Sequence, residues 1–194
     1  MLGKPVRRVF LCYTEIVSLS RSIIIFDGSN FYHKLKEINL PRVSSFDFNR
    51  FSKFISDRTV LTSKFYCVGK ISASQNDAKA RTMMAKQQSL VTRLIKQEFT
   101  IQYGYLLKTD SKFHEKGVDV QIATDILKGA YKNLYKTVFL VSSDSDLIPA
   151  IAEAEETGKT VVYVGFKHKP SFALLRACKK HFLLTEQELL KFVK

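Results

Sequence analysis

Ser22-Ile23-Ile24-Ile25-Phe26-Asp27-Gly28-Ser29-Asn30 is the stretch that decides the fold. Its apolar run has no alternation and stops at an Asp-Gly pair. Such a run reads as a strand buried on both faces, as in a parallel sheet. A second run of the same kind, Thr137-Val138-Phe139-Leu140-Val141, ends in Ser142-Ser143-Asp144-Ser145-Asp146. Two such strands in one chain set the frame for the segments around them.

Working outward from the first strand, residues 30–38 read as a helix stopped before Pro41. Phe46, Phe48, Phe51, Phe54 and Ile55 recur at helical spacing, with Ser44-Ser45 as the expected cap. Residues 59–68 read as a strand. Residues 75–99 read as a long basic helix whose apolar face is Met83, Leu90, Val91, Leu94 and Ile95. Residues 100–107 form the next expected strand. A helix follows over 118–131, with Val118, Ile122, Ile126 and Leu127 on one side.

Beyond the second buried strand, a helix is expected over 146–157, ended by Gly158. A strand follows over 160–164, a helix over 171–180, and a strand over 181–184. Thr185 caps a last helix through Glu186 and Glu188. Strands alternate with helices nearly throughout. The expected fold class is therefore α/β, a three-layer α/β/α domain with a mainly parallel central sheet.

Composition narrows the function classes. The 194 residues suit one domain, and 45% hydrophobic with 25% charged residues is a globular mix. No apolar stretch approaches the roughly 20 residues of a membrane span, so no membrane partner is expected. The three cysteines, Cys12, Cys67 and Cys178, are scattered and form no CxxC. A reducing, cytoplasmic setting fits better than a disulfide scaffold. The four histidines are scattered too, which leaves a zinc hydrolase without ligands.

Residues 1–20 form an N-terminal extension to which the sequence assigns no role. Their basic start and Val9-Phe10-Leu11-Cys12 imitate a short signal peptide. Glu15 interrupts the apolar run, and no small-x-small cleavage site follows. The folding unit is expected over 21–194.

In a parallel α/β sheet the carboxyl ends of the strands share one edge, and ligands bind there. Asp27, Asp144 and Asp146 are thus expected as neighbours, with Asn30 beside them. Asp119 opens a helix and can point its first turn at the same edge. Clustered carboxylates repel one another and stay ionised together when cations neutralise them. Oxygen ligands without His or Cys select Mg²⁺ or Mn²⁺. Such an ion polarises a phosphate and lowers the pKa of an attacking water. Each acid also has a plainer reading. Asp27, Asp119 and Asp144 can be helix N-caps, and Asp146 can favour its helix through the dipole. Asp125, about 120° round the helix from Asp119, reads as a solvated charge or a supporting group. Asp110 and Glu115 read as residues of a polar loop.

At these residues the chain resembles the NYN domain, the LabA-like branch of the PIN nuclease superfamily. The resemblance lies in Phe26-Asp27-Gly28-Ser29-Asn30, in Lys116-Gly117-Val118-Asp119-Val120 and in the segment Ser142 to Pro149, in that order. It covers about residues 21–185. It implies a PIN-like fold, an acid-bound Mg²⁺ or Mn²⁺, and cleavage of single-stranded RNA to 5′-phosphate and 3′-hydroxyl ends. The implied acid cluster is Asp27, Asp119, Asp144 and Asp146, with Asn30 alongside.

Charge agrees with a polyanionic partner. Lys and Arg total 31 against 18 Asp and Glu, a net +13. Between Leu61 and Gly117 there are ten Lys or Arg and four Asp or Glu. Lys79, Lys86, Arg93 and Lys96 fall at steps of seven, seven and three along the long helix, a single basic stripe. It reads either as a phosphate track or as an ordinary solvated face. Lys116, beside Asp119, is the leading candidate to touch a phosphate near the acids. A second basic set comprises Lys167, Lys169, Arg176, Lys179 and Lys180. Tyr32 and Phe113 lead the aromatic candidates for base stacking, followed by Phe31, Tyr103, Tyr105 and Phe166.

The expected activity is a metal-dependent endoribonuclease acting on single-stranded RNA. The alternative is a non-catalytic RNA-binding or regulatory domain of the same fold. A homodimer is an open expectation. A haloacid-dehalogenase-type phosphatase needs a second Asp where Ser29 stands. No GxxxxGK[ST] or GxGxxG is present, which disfavours a P-loop ATPase and a dinucleotide enzyme.

Overall fold

A computed structural model describes residues 19–71, 77–109 and 112–193, and of residues 105–109 and 112–115 the backbone alone. The extension expected over 1–20 therefore lies, except for Leu19 and Ser20, outside the described residues.

Among the described residues, seven strands form one sheet: β1 (Arg21–Asp27), β2 (Val60–Lys70), β3 (Phe99–Thr109), β4 (Lys112–Lys116), β5 (Thr137–Val141), β6 (Thr160–Phe166) and β7 (Lys180–Leu184). Their spatial order is β4-β3-β2-β1-β5-β6-β7. All pairs are parallel except β3–β4, so β4 is an antiparallel edge. That edge strand occupies the segment read as a polar loop. Its Lys112-Phe113-His114-Glu115-Lys116 sequence lacks a continuous apolar run, and backbone pairing to β3 defines it instead.

The helices are α1 (Gly28–Glu37), α2 (Phe48–Ile55), α3 (Ala78–Lys96), α4 (Val118–Tyr131), α5 (Ile148–Glu156), α6 (Phe172–Ala177) and α7 (Glu186–Leu190). One core lies between the sheet and α1, α2, α3 and α7, using Phe31, Leu35, Phe51, Leu94 and Leu189. The other lies beneath α4, α5 and α6, using Ile122, Ile126, Ile151 and Leu174. This is a three-layer α/β/α domain with a mainly parallel sheet, as the sequence leads one to expect.

β1 shows why a continuous apolar run belongs at the centre. Ile24 and Phe26 face the first core while Ile23 and Ile25 face the second, and all four are buried. The Phe26 ring meets Phe31, Phe48, Phe51 and Phe99 with centroids 5.4 to 5.8 Å away. Removing such a ring costs about 3–5 kcal/mol in a packed core.

Three local expectations are corrected. Asp47 caps α2 by accepting from Arg50 N, while Ser44-Ser45 lie in a preceding 3₁₀ turn, Val43–Ser45. The helix beginning at residue 146 starts instead as a 3₁₀ turn, Ser145–Leu147, before α5. Along α3, Val91 and Leu94 are buried, but Met83 and Ile95 are 45% and 58% exposed. The helix leans on the sheet along a narrower stripe than its apolar residues span. No helix among the described residues is long and apolar enough to cross a membrane.

Candidate active site

The order of strands reverses at β1. The chain moves outward through β2 and β3 on one side and through β5 and β6 on the other. The crevice above the carboxyl ends of β1 and β5 is thus the topological switch point, where open α/β sheets bind ligands. The sequence places Asp27 and Ser142–Asp146 at this point.

Asp27 closes β1 and caps α1, its Oδ1 accepting from Asn30 N at 3.0 Å. Its Oδ2 accepts from the Ser142 hydroxyl at 2.9 Å. The same Ser142 oxygen accepts from Asp144 N at 3.1 Å. Asp144 caps the 3₁₀ turn, with Oδ1 accepting from Asp146 N at 2.9 Å. Asn30 Oδ1 accepts from Ser143 N at 3.2 Å, which leaves its NH₂ as a donor. A single hydrogen-bonded chain therefore ties Asp27, Asn30, Asp144 and the backbone of Asp146 together across two strands.

The capping readings of Asp27 and Asp144 hold, yet capping does not account for the whole arrangement. Asp27 is only 5% exposed, whereas a cap needs no burial. The Ser143 hydroxyl, within the same turn, is buried without a hydrogen-bond partner among the described residues. In the sequence, Ser142 and Ser143 belong to the motif but carry no assigned role. Their signal is position: both lie between a buried strand and an acid pair.

Gly28 explains the Asp-Gly pair. A Cβ there would meet the Tyr66 ring at 2.5 Å and Cys67 O at 2.9 Å. Close approach of the turn to β2 demands a residue without a side chain, and this seats Asp27 at the sheet edge.

Asp119 enters from a third element. Gly117, at φ +80°, turns the chain out of β4, and Asp119 sits exposed in the first turn of α4. Gly104 lets this turn close on β3, since a Cβ there would meet Val118 Cγ2 at 2.5 Å and Lys116 O at 2.7 Å. α4 packs against β1 and against the 3₁₀ turn that carries Asp146. Among the described residues, no three His, Cys, Asp or Glu side chains gather as a metal-holding group. The donor chemistry of the acids suits a hard cation, but a closed cage is not preassembled.

Asp125 departs from the solvated reading. Oδ1 accepts from Gln121 Nε2 at 3.1 Å, while Oδ2 is buried with no hydrogen-bond partner among the described residues. It lines a cleft with Ile23, Ser63, Phe65 and Gln102, and desolvation raises its pKa above the ordinary carboxylate value. Burial also raises the Cys67 thiol, helped by the charges of Asp125 and Asp27. Cys67 is therefore an inert core thiol.

Among the aromatic candidates, Tyr32 is 42% exposed on α1, with Lys36 Nζ 5.0 Å from its ring centre. Tyr103 is exposed as well. Phe31 and Phe166 are core residues, which removes them as stacking candidates. The side chains of Tyr105 and Phe113 lie outside those described, as does Asp110 altogether. Lys86 and Lys96 are exposed on α3 and Arg93 is half-buried; Lys116 is exposed at the end of β4.

Acids and an amide are thus knit together at the switch point of an α/β domain. The NYN domain family model matches residues 21–186, and the chain belongs to the NYN domain family. Among solved structures, the chain is similar to a protein of unknown function from Vibrio parahaemolyticus. The two share 20% identity with a TM-score of 0.62, over 87% of this chain and 94% of the other. That likeness concerns the fold. No curated protein matches the sequence.

Proposed function

We propose that this domain is a metal-dependent endoribonuclease that hydrolyses single-stranded RNA at the β1–β5 crevice. The observation that carries this reading is the buried Asp27 carboxylate, held between Asn30 N and the Ser142 hydroxyl beside Asp144. A Mg²⁺ or Mn²⁺ held by Asp27, Asp119, Asp144 and Asp146 would polarise the scissile phosphate and lower the pKa of an attacking water.

The chain's own residues supply the remainder. Asn30 offers its NH₂ to a phosphate oxygen or to the water, with its orientation set by Ser143 N. Ser142 fixes the Asp27 carboxylate and the Asp144 backbone in one geometry, so little reorganisation is left for the reaction. Lys116 neutralises phosphate beside Asp119. Tyr32 offers an exposed ring to a base, and Lys86, Arg93 and Lys96 follow the strand away from the site.

One observation favours the alternative, a non-catalytic RNA-binding or regulatory domain: the acids do not form a closed metal cage among the described residues. A cytoplasmic setting, a homodimer and a folding unit over 21–194 belong to the same proposal. Incubation of the purified chain with end-labelled single-stranded RNA in Mn²⁺, Mg²⁺ or EDTA separates the two readings. Cuts that require metal support the nuclease, and binding without cuts supports the alternative.

A further inference from the structure

The loop beside the acid crevice carries features that the catalytic reading does not use. Leu140 of β5 pairs in parallel with Tyr163 of β6, so the chain past Val141 and the chain past Phe166 leave the same edge of the sheet. Lys167 to Ser171 therefore leave the sheet directly beside the Ser142–Asp146 turn. They lie two strand spacings, about 10 Å, from the end of β1. Lys167, His168 and Lys169 are all exposed, and Phe172, which opens α6, is 70% exposed.

A lone exposed phenylalanine is ordinary. This one tips a basic loop that is fastened in place. Glu37 of α1 takes Lys169 Nζ at 3.5 Å, His168 Nε2 at 3.6 Å and Lys34 Nζ at 3.5 Å. Lys34 Nζ also donates to Lys169 O at 3.4 Å. Ser171 N donates to the Tyr163 hydroxyl at 2.9 Å, and Lys167 N to Leu184 O at 2.8 Å. Partial desolvation raises the Glu37 carboxyl, but Lys34 and Lys169 more than offset it and hold it below the usual range. Asn30, Lys34 and Glu37 fall at i, i+4 and i+7, so one face of α1 runs from the Ser143 backbone to this loop.

We propose that Lys167–Phe172 is a nucleic-acid subsite, where a base of single-stranded RNA stacks on Phe172 and an adjoining phosphate lies on Lys167. An exposed aromatic that follows a basic loop suits single strands, whose bases are free to stack and whose phosphates are accessible. The subsite holds the strand across the Asp27–Asp144 crevice. The inference rests on the RNA-directed reading above.

The test uses the full chain and a fluorescently labelled single-stranded RNA in EDTA, with affinity read by anisotropy. Phe172→Ala should weaken binding about ten- to hundredfold, the range for loss of one stacked base. Phe172→Tyr should bind as wild type, and Phe172→Leu should not rescue. Lys167→Ala should lower the salt slope by about 0.7. Phe172 is exposed, so unchanged melting of these variants accompanies the result. If Phe172→Ala binds as wild type, or Phe172→Leu rescues fully, the subsite is overturned while the nuclease reading stands; the ring then serves something other than RNA. If the wild type neither binds nor cuts RNA, with or without Mn²⁺, the RNA-directed reading itself fails and takes the subsite with it.

Discussion

The Ser142 hydroxyl donates to Asp27 Oδ2 at 2.9 Å, joining residues 115 positions apart at the ends of two neighbouring strands. The same oxygen receives Asp144 N. One small side chain thus sets the spacing of two acids. In Ser142→Ala, Asp27 loses a donor and Asp144 N loses an acceptor in a buried place. A loss of about 1–3 kcal/mol is expected. At 150–250 residues each kcal/mol is worth roughly 2–4 °C of melting temperature, so calorimetry resolves it. Ser142→Thr, which keeps the hydroxyl, should retain more of both stability and activity.

Gly28→Ala tests whether the turn is as tight as its surroundings imply. The new Cβ would enter the Tyr66 ring and the Cys67 carbonyl. Overpacking of this kind costs about 1–3 kcal/mol. Urea denaturation should show a lower midpoint with an unchanged slope, and the displaced Asp27 should lower any activity further than stability alone explains.

Two carboxylates should give pH effects of opposite sign. Desolvation raises Asp125 in the folded state, so its folded form binds the proton more tightly than the unfolded chain. Its contribution is fully present below the unfolded value and is lost as pH rises through the raised folded value. Asp125→Asn should therefore stabilise the protein at neutral pH and do little in acid. Glu188 is lowered, chiefly by the backbone N–H and hydroxyl of Thr185 in the capping box that starts α7. Its contribution is present above the unfolded value and fades as pH falls through the lowered folded one. Glu188→Gln should cost stability at neutral pH and converge with wild type in acid. Thermal melts across pH 3 to 8 check both signs, and a destabilised Asp125→Asn at neutral pH would contradict the first.

Charge on α3 should act on affinity by neutralising phosphates. Lys86→Glu, Arg93→Glu and Lys96→Glu together should weaken RNA binding and flatten its salt dependence. On a single strand the slope falls by up to about 0.7 for each phosphate left without its cation. A salt titration with unchanged slope would make the stripe an ordinary solvated face.

Much of the fold is legible in the sequence because the strongest signals are local. The bounds of α4 and β5 follow directly from apolar periodicity, and β1 from its unbroken run. β4 is not legible, because its identity rests on backbone pairing with β3 and not on its own side chains. The α2 cap is misplaced by sequence since Ser44, Ser45 and Asp47 are all good caps, and only the backbone path selects Asp47. Phe31 and Phe166 read as stacking candidates although the fold buries them; an aromatic next to a motif carries no signal of depth. The nearness of Asp27 and Asp144 follows from the shared carboxyl edge of parallel strands. The hydroxyl that couples them does not, since a serine between two acids looks like loop composition. Asp125 reads as solvated because helical angle alone says nothing of how far α4 tilts over β1 to β3.

The most direct measurement is cleavage of labelled single-stranded RNA by wild type, Asp27→Asn and Asp144→Asn in Mn²⁺, with EDTA as the control and melting curves to confirm folding. The expected result is metal-dependent cutting by wild type, stopped by EDTA, and a loss of about a hundredfold or more in both folded variants. A wild type that binds RNA but never cuts it, or variants that cut as fast as wild type, would contradict a catalytic centre at the β1–β5 crevice.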